Sequence, residues 1–514
     1  MGFVSILGTK KFGEHVHSKT FFETPSYFED LNLNQIVDQI RSMCPEYDLK
    51  KYYYVLLEDP EQIRYRHDVF KDFYNDDIIE AARDFSNGLY NARNYMEWAL
   101  KSEHPVQRKR WKIDSAYSYI VSVRRFAEFM SKKEVVSAGM QEFKAYLTDM
   151  VAGKEFNEFA DSTIKLMEKM FSINFTLEIE RNSITVNAGR TDEHYVERIG
   201  ELLEKENIES IGSYFNSPLR GNSALSVLET KIVAMLQKEF PNEFAELDEY
   251  DKKYDNFLDT VLVQLEEEMQ FYISYALFRK RIAGYGLTFC TPEVYEGTDK
   301  FVLTDVYDLA LACRNSEDGI TTVSNTIDYR DKERFLVITG PNQGGKTTSA
   351  RSMGQAVYFA MIGLEVPAAA AKLPLFHDIM THFEVEESLE TGAGKLKEEL
   401  NRLKPMMERT GKRKFVVINE LFTTAASYDA YIMGSHVLKH FIELDYFGIY
   451  VTHIKELAQE SEAVASLVAG LSAEDGKTRT FKIERRPSEG VGHASVLVDK
   501  YNLSYEDIKE GLLK

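Results

Sequence analysis

Residues 340–347 read Gly340-Pro341-Asn342-Gln343-Gly344-Gly345-Lys346-Thr347, a glycine-rich run closed by a lysine and a hydroxyl side chain. This is the G-x-x-x-x-G-K-[ST] spacing. Glycines let the backbone wrap tightly enough to aim its N–H groups at phosphate oxygens. A helix starting at the lysine adds the partial positive charge of its first turn. The pattern predicts that Lys346 reaches the β- and γ-phosphates of a nucleotide and that Thr347 ligates Mg²⁺ through its hydroxyl. ATP or ADP with Mg²⁺ is therefore the expected cofactor pair.

A phosphate loop needs a second strand that carries a carboxylate to the metal and the attacking water. Phe415-Val416-Val417-Ile418, ending in Asn419-Glu420, is the candidate. Glu420 is the expected water-orienting group. Asn419 stands where an aspartate usually holds the Mg²⁺ shell. An amide still accepts a hydrogen bond from a metal-bound water but brings no charge, so reduced Mg²⁺ affinity or turnover is expected. A third apolar run, Ile449-Tyr450-Val451, delivers Thr452-His453 to the same sheet edge. His453 either senses a γ-phosphate or packs as a cap on its strand.

These groups require buried strands alternating with helices. Phe335–Ile338, Phe415–Ile418 and Ile449–Val451 supply the strands, and the segment after Lys346 supplies a helix. Upstream, from about Phe28 to Ile282, the chain reads as helix after helix. The positions Leu258, Val261, Leu262, Leu265, Met269, Tyr272 and Ala276 form one apolar stripe, which leaves Glu266, Glu267 and Glu268 largely on other faces. Phe175, Leu177 and Ile179, then Ile184 and Val186, alternate around Arg181-Asn182 and predict a small β-hairpin near 173–187. The character changes near residue 290. The expected fold is mixed, with a mainly α-helical region over 1–290 and an α/β phosphate-loop domain over 291–514.

Composition narrows the function class. The chain has 514 residues and a formal net charge of −20, which argues against indiscriminate coating of DNA. Cys44, Cys290 and Cys313 are far apart and lack zinc-ligand spacing. No apolar run reaches the length of about 18 residues that spans a bilayer, and Met1–Lys11 reads as no secretory leader. A cytoplasmic protein without membrane contact is expected.

The motifs, in this order, resemble the MutS family of mismatch-repair ATPases. Ile338–Thr348 is similar to the ITGPNxGGKST loop of that family, which brings Thr348 into the expected nucleotide site. Ile362-Gly363-Leu364-Glu365-Val366-Pro367-Ala368 resembles IGxxVPA, and Val451-Thr452-His453-Ile454-Lys455-Glu456-Leu457 resembles ATHxxEL. Asn419-Glu420 with Ser427-Tyr428-Asp429 matches DE…STYDG in part, and Asn325 falls where the family has an asparagine. Asp59-Pro60 with Arg64–Phe70 resembles the opening of the helical core and lever, and the hairpin stands where the clamp would be. The resemblance implies an ABC-like ATPase fold over the C-terminal region and a homodimer with its ATPase sites at the subunit interface. It further implies nucleotide-dependent holding of DNA.

Departures accompany the likeness. The core-like sequence begins near Asp59, so a member without mismatch-recognition and connector domains is expected, and Phe22-Glu23 is no Phe-x-Glu wedge. Ser388–Lys395 ends in Gly394-Lys395 where the family has Ser-Thr, and Lys395 offers a charge in trans. Thr322 stands where the family has an adenine-stacking Phe, and Phe422-Thr423-Thr424 replaces Gly-Arg-Gly. The basic runs that could meet DNA are Arg108-Lys109-Arg110 with Lys112 and Arg124-Arg125, and Arg279-Lys280-Arg281; in an acidic helical region most such runs are solvated or ion-paired faces. The leading expectation is an ATP-dependent DNA-binding dimer. The alternative is a nucleotide-gated dimeric scaffold acting through protein partners, with weak or no hydrolysis.

Overall fold

The computed structural model describes residues 5–8, 23–180, 183–188, 225–297, 300–384, 394–472 and 478–488, and it is a mixed helix-and-sheet protein. In chain order the longer helices begin with α1 (Leu33–Arg41), α2 (Pro60–Asp72), α3 (Asp76–Lys101) and α4 (Pro105–Lys132). They continue with α5 (Ala138–Ala152), α6 (Lys154–Phe171), α7 (Val227–Glu239), α8 (Pro241–Lys253) and α9 (Thr260–Ala283). Start signals are local and legible. Asp59 and Asn75 accept hydrogen bonds from the first turns of α2 and α3, and Pro60 and Pro105 open α2 and α4. Between α6 and α7, strands β1 (Phe175–Glu180) and β2 (Ser183–Ala188) pair antiparallel, as the alternation predicts. The expected turn at Arg181-Asn182 lies outside the described residues.

The chain divides into two compact units. One holds residues 75–136 and 140–269, and the other holds 5–74, 137–139 and the chain from residue 270 on. The sequence boundary near residue 290 therefore falls inside the second unit, and the first helices join that unit. The reason is polar and specific. Gln355 donates to the carbonyl of Leu31 at 2.9 Å, Tyr358 to that of Tyr53 at 2.7 Å, and Arg66 to that of Ile362 at 2.6 Å.

In the first unit, α3 and α4 pack along their lengths through Ile78, Ala82, Phe85, Leu89 and Ala92 against Ile113, Ala116, Ile120, Val123 and Ala127. Tyr95 stacks on Trp111, and Trp98 meets Trp111 edge-on with ring centres 5.1 Å apart. Of the apolar stripe, Leu262, Leu265, Met269, Tyr272 and Ala276 are buried, and Glu266 and Glu268, on other faces, are fully buried too. The helix is enclosed on more than its apolar side. Arg93 grips Glu266 with both terminal nitrogens, and Gln264 donates to Glu268 at 2.8 Å, which compensates the buried charge.

The second unit carries two sheets. The smaller one is ordered β3 (Glu293–Tyr295), β7 (Ala370–Pro374), β4 (Phe301–Val306), β5 (Asn325–Tyr329). The larger holds β6 (Phe335–Thr339), β8 (Ile379–Phe383), β9 (Phe415–Asn419), β10 (Phe447–Val451), β11 (Val464–Leu471) and β12 (Arg479–Arg485). Its order is β12-β11-β6-β10-β9-β8, parallel throughout except that β12 runs antiparallel to β11. The three strands read from sequence are β6, β9 and β10, and they lie adjacent as β6-β10-β9. Their near-continuous apolar runs fit burial on both faces. Helices α10 (Leu309–Glu317), α11 (Lys346–Met361), α12 (Lys395–Glu408) and α13 (Ser427–Glu443) complete the unit. Phe335, Val337, Val416, Ile418, Phe441 and Tyr450 form the core between α13 and the sheet. Each such large side chain contributes about 1.5–3 kcal/mol by leaving water.

Candidate functional site

The glycine-rich run lies where strand β6 hands over to helix α11. Gly340 has φ +128°, and a Cβ there would sit 3.0 Å from the backbone nitrogen of Ala469, so only glycine fits. Gly345 (φ +89°) caps α11, and Lys346 is its first residue. The unpaired N–H groups of that first turn and the turns of the loop form a concavity with positive character.

Lys346 is almost fully buried, and its ammonium donates to the carbonyls of Gly340 at 2.9 Å and Pro341 at 3.2 Å. Burial holds it below the usual lysine range, opposed by the Glu420 carboxylate. Thr347 Oγ1 donates to Asn419 Oδ1 at 2.8 Å. Glu420 and Phe422 follow β9 with φ of +57° and +61°, a left-handed backbone that costs a non-glycine residue about 1–3 kcal/mol. The Glu420 N–H is anchored on the carbonyl of Val451 at 2.9 Å. His453 Nε2 lies 3.0 Å from Glu420 Oε1. That hydrogen bond holds the Glu420 carboxyl below its ordinary range, against the opposing effect of burial. Lys346, Thr347, Asn419, Glu420 and His453 thus meet at one edge of the parallel sheet, although Asn419 and Glu420 come from a strand two places away from β6.

A cavity of about 450 Å³ opens over the loop, lined by Asn342, Gln343, Gly344, Gly345, Lys346, Thr347, Thr348 and Glu420 on one side and by Leu311, Ile320, Val323 and Phe481 on the other. Phe481 was not legible from sequence. It belongs to β12, at φ +56°, and its ring stands 3.5 Å from where a Gly345 Cβ would be. Asn325 holds it there: its amide donates to the Phe481 carbonyl at 3.2 Å and accepts from the Ile483 N–H at 2.8 Å. Thr322 does not line this cavity. Its hydroxyl accepts from Asn315 at 3.1 Å and borders a separate cleft behind segment 320–325.

Of Ser388–Lys395, only Gly394 and Lys395 are described. Lys395 opens α12 and pairs with Glu384, which also accepts from Thr423 Oγ1 at 3.2 Å. The basic runs have intramolecular partners. Lys112 pairs with Asp251 and Asp255, each at 2.8 Å, Lys109 pairs with Asp248, and Arg110 pairs with Asp114 at 2.8 Å. In the second run Arg279 pairs with Glu365, and Arg281 donates to Gln39 at 2.7 Å. The acids of α8 and the residues just after it, far from the basic run in sequence, pair with Lys109 and Lys112. No helix among the described residues is long and apolar enough to cross a membrane.

The fold and site define an α/β unit with a concave glycine-rich loop within a mostly parallel sheet. Comparison with known proteins shows what the chain is similar to. Residues 336–497 match the family model MutS domain V, and the chain is similar to MutS and MSH proteins. It is 22% identical over 468 residues to the DNA mismatch repair protein MutS of Thermosipho melanesiensis, covering 85% of this chain and 56% of that relative. It is 28% identical over 174 residues to the DNA mismatch repair protein msh-2 of Neurospora crassa, covering 33% of this chain and 18% of that protein. It is 30% identical over 146 residues to MutS of Shouchella clausii, covering 28% and 17% respectively. The chain spans about half the length of the Thermosipho relative and about a fifth of the other two.

Proposed function

We propose that this chain is an ATPase of ABC-like MutS type that binds ATP or ADP with Mg²⁺ at Gly340–Thr348 and couples the nucleotide to DNA as a homodimer through its α/β domains. The observation that carries the reading is the convergence of Lys346, Thr347, Asn419, Glu420 and His453 around one concave loop. In this reading Lys346 binds the β- and γ-phosphates, Glu420 orients the attacking water, and His453 holds Glu420 ionised and aimed. Thr347 Oγ1 and Asn419 Oδ1 are oxygen donors of the kind a hard cation takes. Among the described residues no cluster of three His, Cys, Asp or Glu side chains could hold a metal alone. Mg²⁺ would therefore rely on phosphate oxygens for the rest of its shell and its charge balance.

The experiment is equilibrium binding of ATP with and without Mg²⁺, alongside anisotropy of homoduplex, mismatched, four-way-junction and single-stranded DNA at one stated salt concentration. The parent protein binds ATP, and Lys346→Ala weakens that binding about 100-fold, since a charge-assisted contact contributes roughly 1.5–3 kcal/mol. Equal affinity in both proteins would remove the phosphate role of Lys346. Nucleotide-dependent DNA binding supports the coupled reading.

A second reading, a nucleotide-gated scaffold that works through a protein partner, is favoured by Asn419 and by the internal pairing of the basic runs. Asn419→Asp tests the first of these arguments. It adds a charge beside Thr347 and raises Mg²⁺-dependent turnover roughly tenfold if hydrolysis is limited by the metal shell. Turnover no faster than the parent's would remove Asn419 as an argument for the scaffold.

A further inference from the structure

Strand β12 carries three basic side chains at the flank of the loop and Arg486 follows it, and three of these four are engaged elsewhere. Lys482 donates to the carbonyl of Ser324 at 2.6 Å, Arg485 grips Glu333 at 2.7 and 3.0 Å, and Arg486 lies 3.8 Å from Glu484. Arg479 differs. Among the described residues no carboxylate lies in ion-pair range of it, and its one hydrogen bond goes from Nη1 to the neutral amide oxygen of Gln343, at 3.0 Å. Both side chains are exposed.

The partner is a loop residue. Gln343 lines the cavity over the loop and has a left-handed backbone at φ +59°, set by the turn between Asn342 and Gly344. Two residues beyond Arg479 on the same strand, Phe481 lines the same cavity, and the clamp of Asn325 on Phe481 and Ile483 fixes that strand against the loop. The guanidinium is thus moored at the rim of the site by a weak, neutral contact. A neutral hydrogen bond is roughly half as strong as one to an ionised acceptor. A guanidinium also presents a donor fork that matches a phosphate.

We propose that Arg479 is a second phosphate-binding cation of this site, parked on Gln343 and transferred to the polyphosphate of a bound nucleoside triphosphate. This rests on the nucleotide-binding reading above. It gives the triphosphate a cation from β12, on the flank of the loop away from Glu420, in addition to Lys346 inside it. Gln343 is a positioning residue that keeps the long side chain at the rim.

The test is titration of the full chain with ATP, AMP and inorganic tripolyphosphate at two ionic strengths, for the parent, Arg479→Ala, Arg479→Lys and Gln343→Ala. Arg479→Ala weakens ATP and tripolyphosphate about tenfold, changes AMP less than twofold, and flattens the salt dependence of ATP binding. Arg479→Lys recovers part of the loss, and Gln343→Ala costs a few-fold. Unchanged ATP and tripolyphosphate affinity in Arg479→Ala overturns the proposal, as does an equal loss for AMP, which would mark a structural role. Failure of the parent to bind either ATP or tripolyphosphate instead removes the nucleotide-binding reading.

Discussion

Glu420→Gln lowers ATP turnover by about 10²- to 10⁴-fold while leaving ATP affinity within a few-fold, because a positioned carboxylate base contributes on that scale and an amide cannot take a proton. The substitution keeps size and shape, so the strained backbone at Glu420 and the contact to His453 remain possible. Single-turnover hydrolysis measured beside ATP binding checks it. Loss of affinity equal to the loss of rate would make Glu420 a binding residue, and unchanged turnover would remove it from the chemistry. The His453 hydrogen bond holds the Glu420 carboxyl below its ordinary range. The carboxylate form, and the stability it contributes on folding, is therefore present above the unfolded-state value and lost only as pH falls through the lower folded value. His453→Ala shifts the acid limb of turnover upward in pH.

Arg66→Ala destabilises the second unit by about 3–5 kcal/mol, read as a lowered denaturant midpoint for that unit's transition. Arg66 is completely buried. Its Nε donates to the carbonyl of Leu7 at 2.8 Å and its Nη1 to that of Ile362 at 2.6 Å, and its guanidinium lies 5.1 Å from the ring centre of Phe271. Gly363, at φ +76°, makes room: a Cβ there would approach the Arg66 side chain to 2.8 Å. Alanine would strand two buried carbonyls and leave a cavity the size of the lost side chain. Arg66→Lys recovers little, since a single ammonium cannot span both acceptors. A midpoint moved by less than the equivalent of 1 kcal/mol would show that water replaces the arginine, with about 1 kcal/mol being the ordinary surface-to-core divide.

Much of the candidate site was legible because its chemistry is written in contiguous residues. The loop from Gly340 to Thr347, the carboxylate after β9 and the histidine after β10 each follow an apolar run that must be a buried strand. The hairpin of β1 and β2 was legible for the same reason, through alternation at period two. What escaped depends on pairs distant in sequence. Arg66 and Ile362, or Lys112 and Asp251, carry no local sign of each other. Nothing in the run Arg479-Thr480-Phe481 signals that an aromatic ring would be held against the loop, because its placement follows from a left-handed Phe481 and the Asn325 clamp. Burial of Glu266 and Glu268 escaped because helical periodicity identifies the most apolar face and is silent on how many faces are covered.

The two indoles of this chain give it an optical asymmetry. Trp98 and Trp111 are its only tryptophans, and they touch each other inside the unit formed by 75–136 and 140–269. The glycine-rich loop lies in the other unit, which has tyrosines and no tryptophan. Selectively excited indole emission therefore reports on the unit that holds both indoles, in the unlabelled native chain.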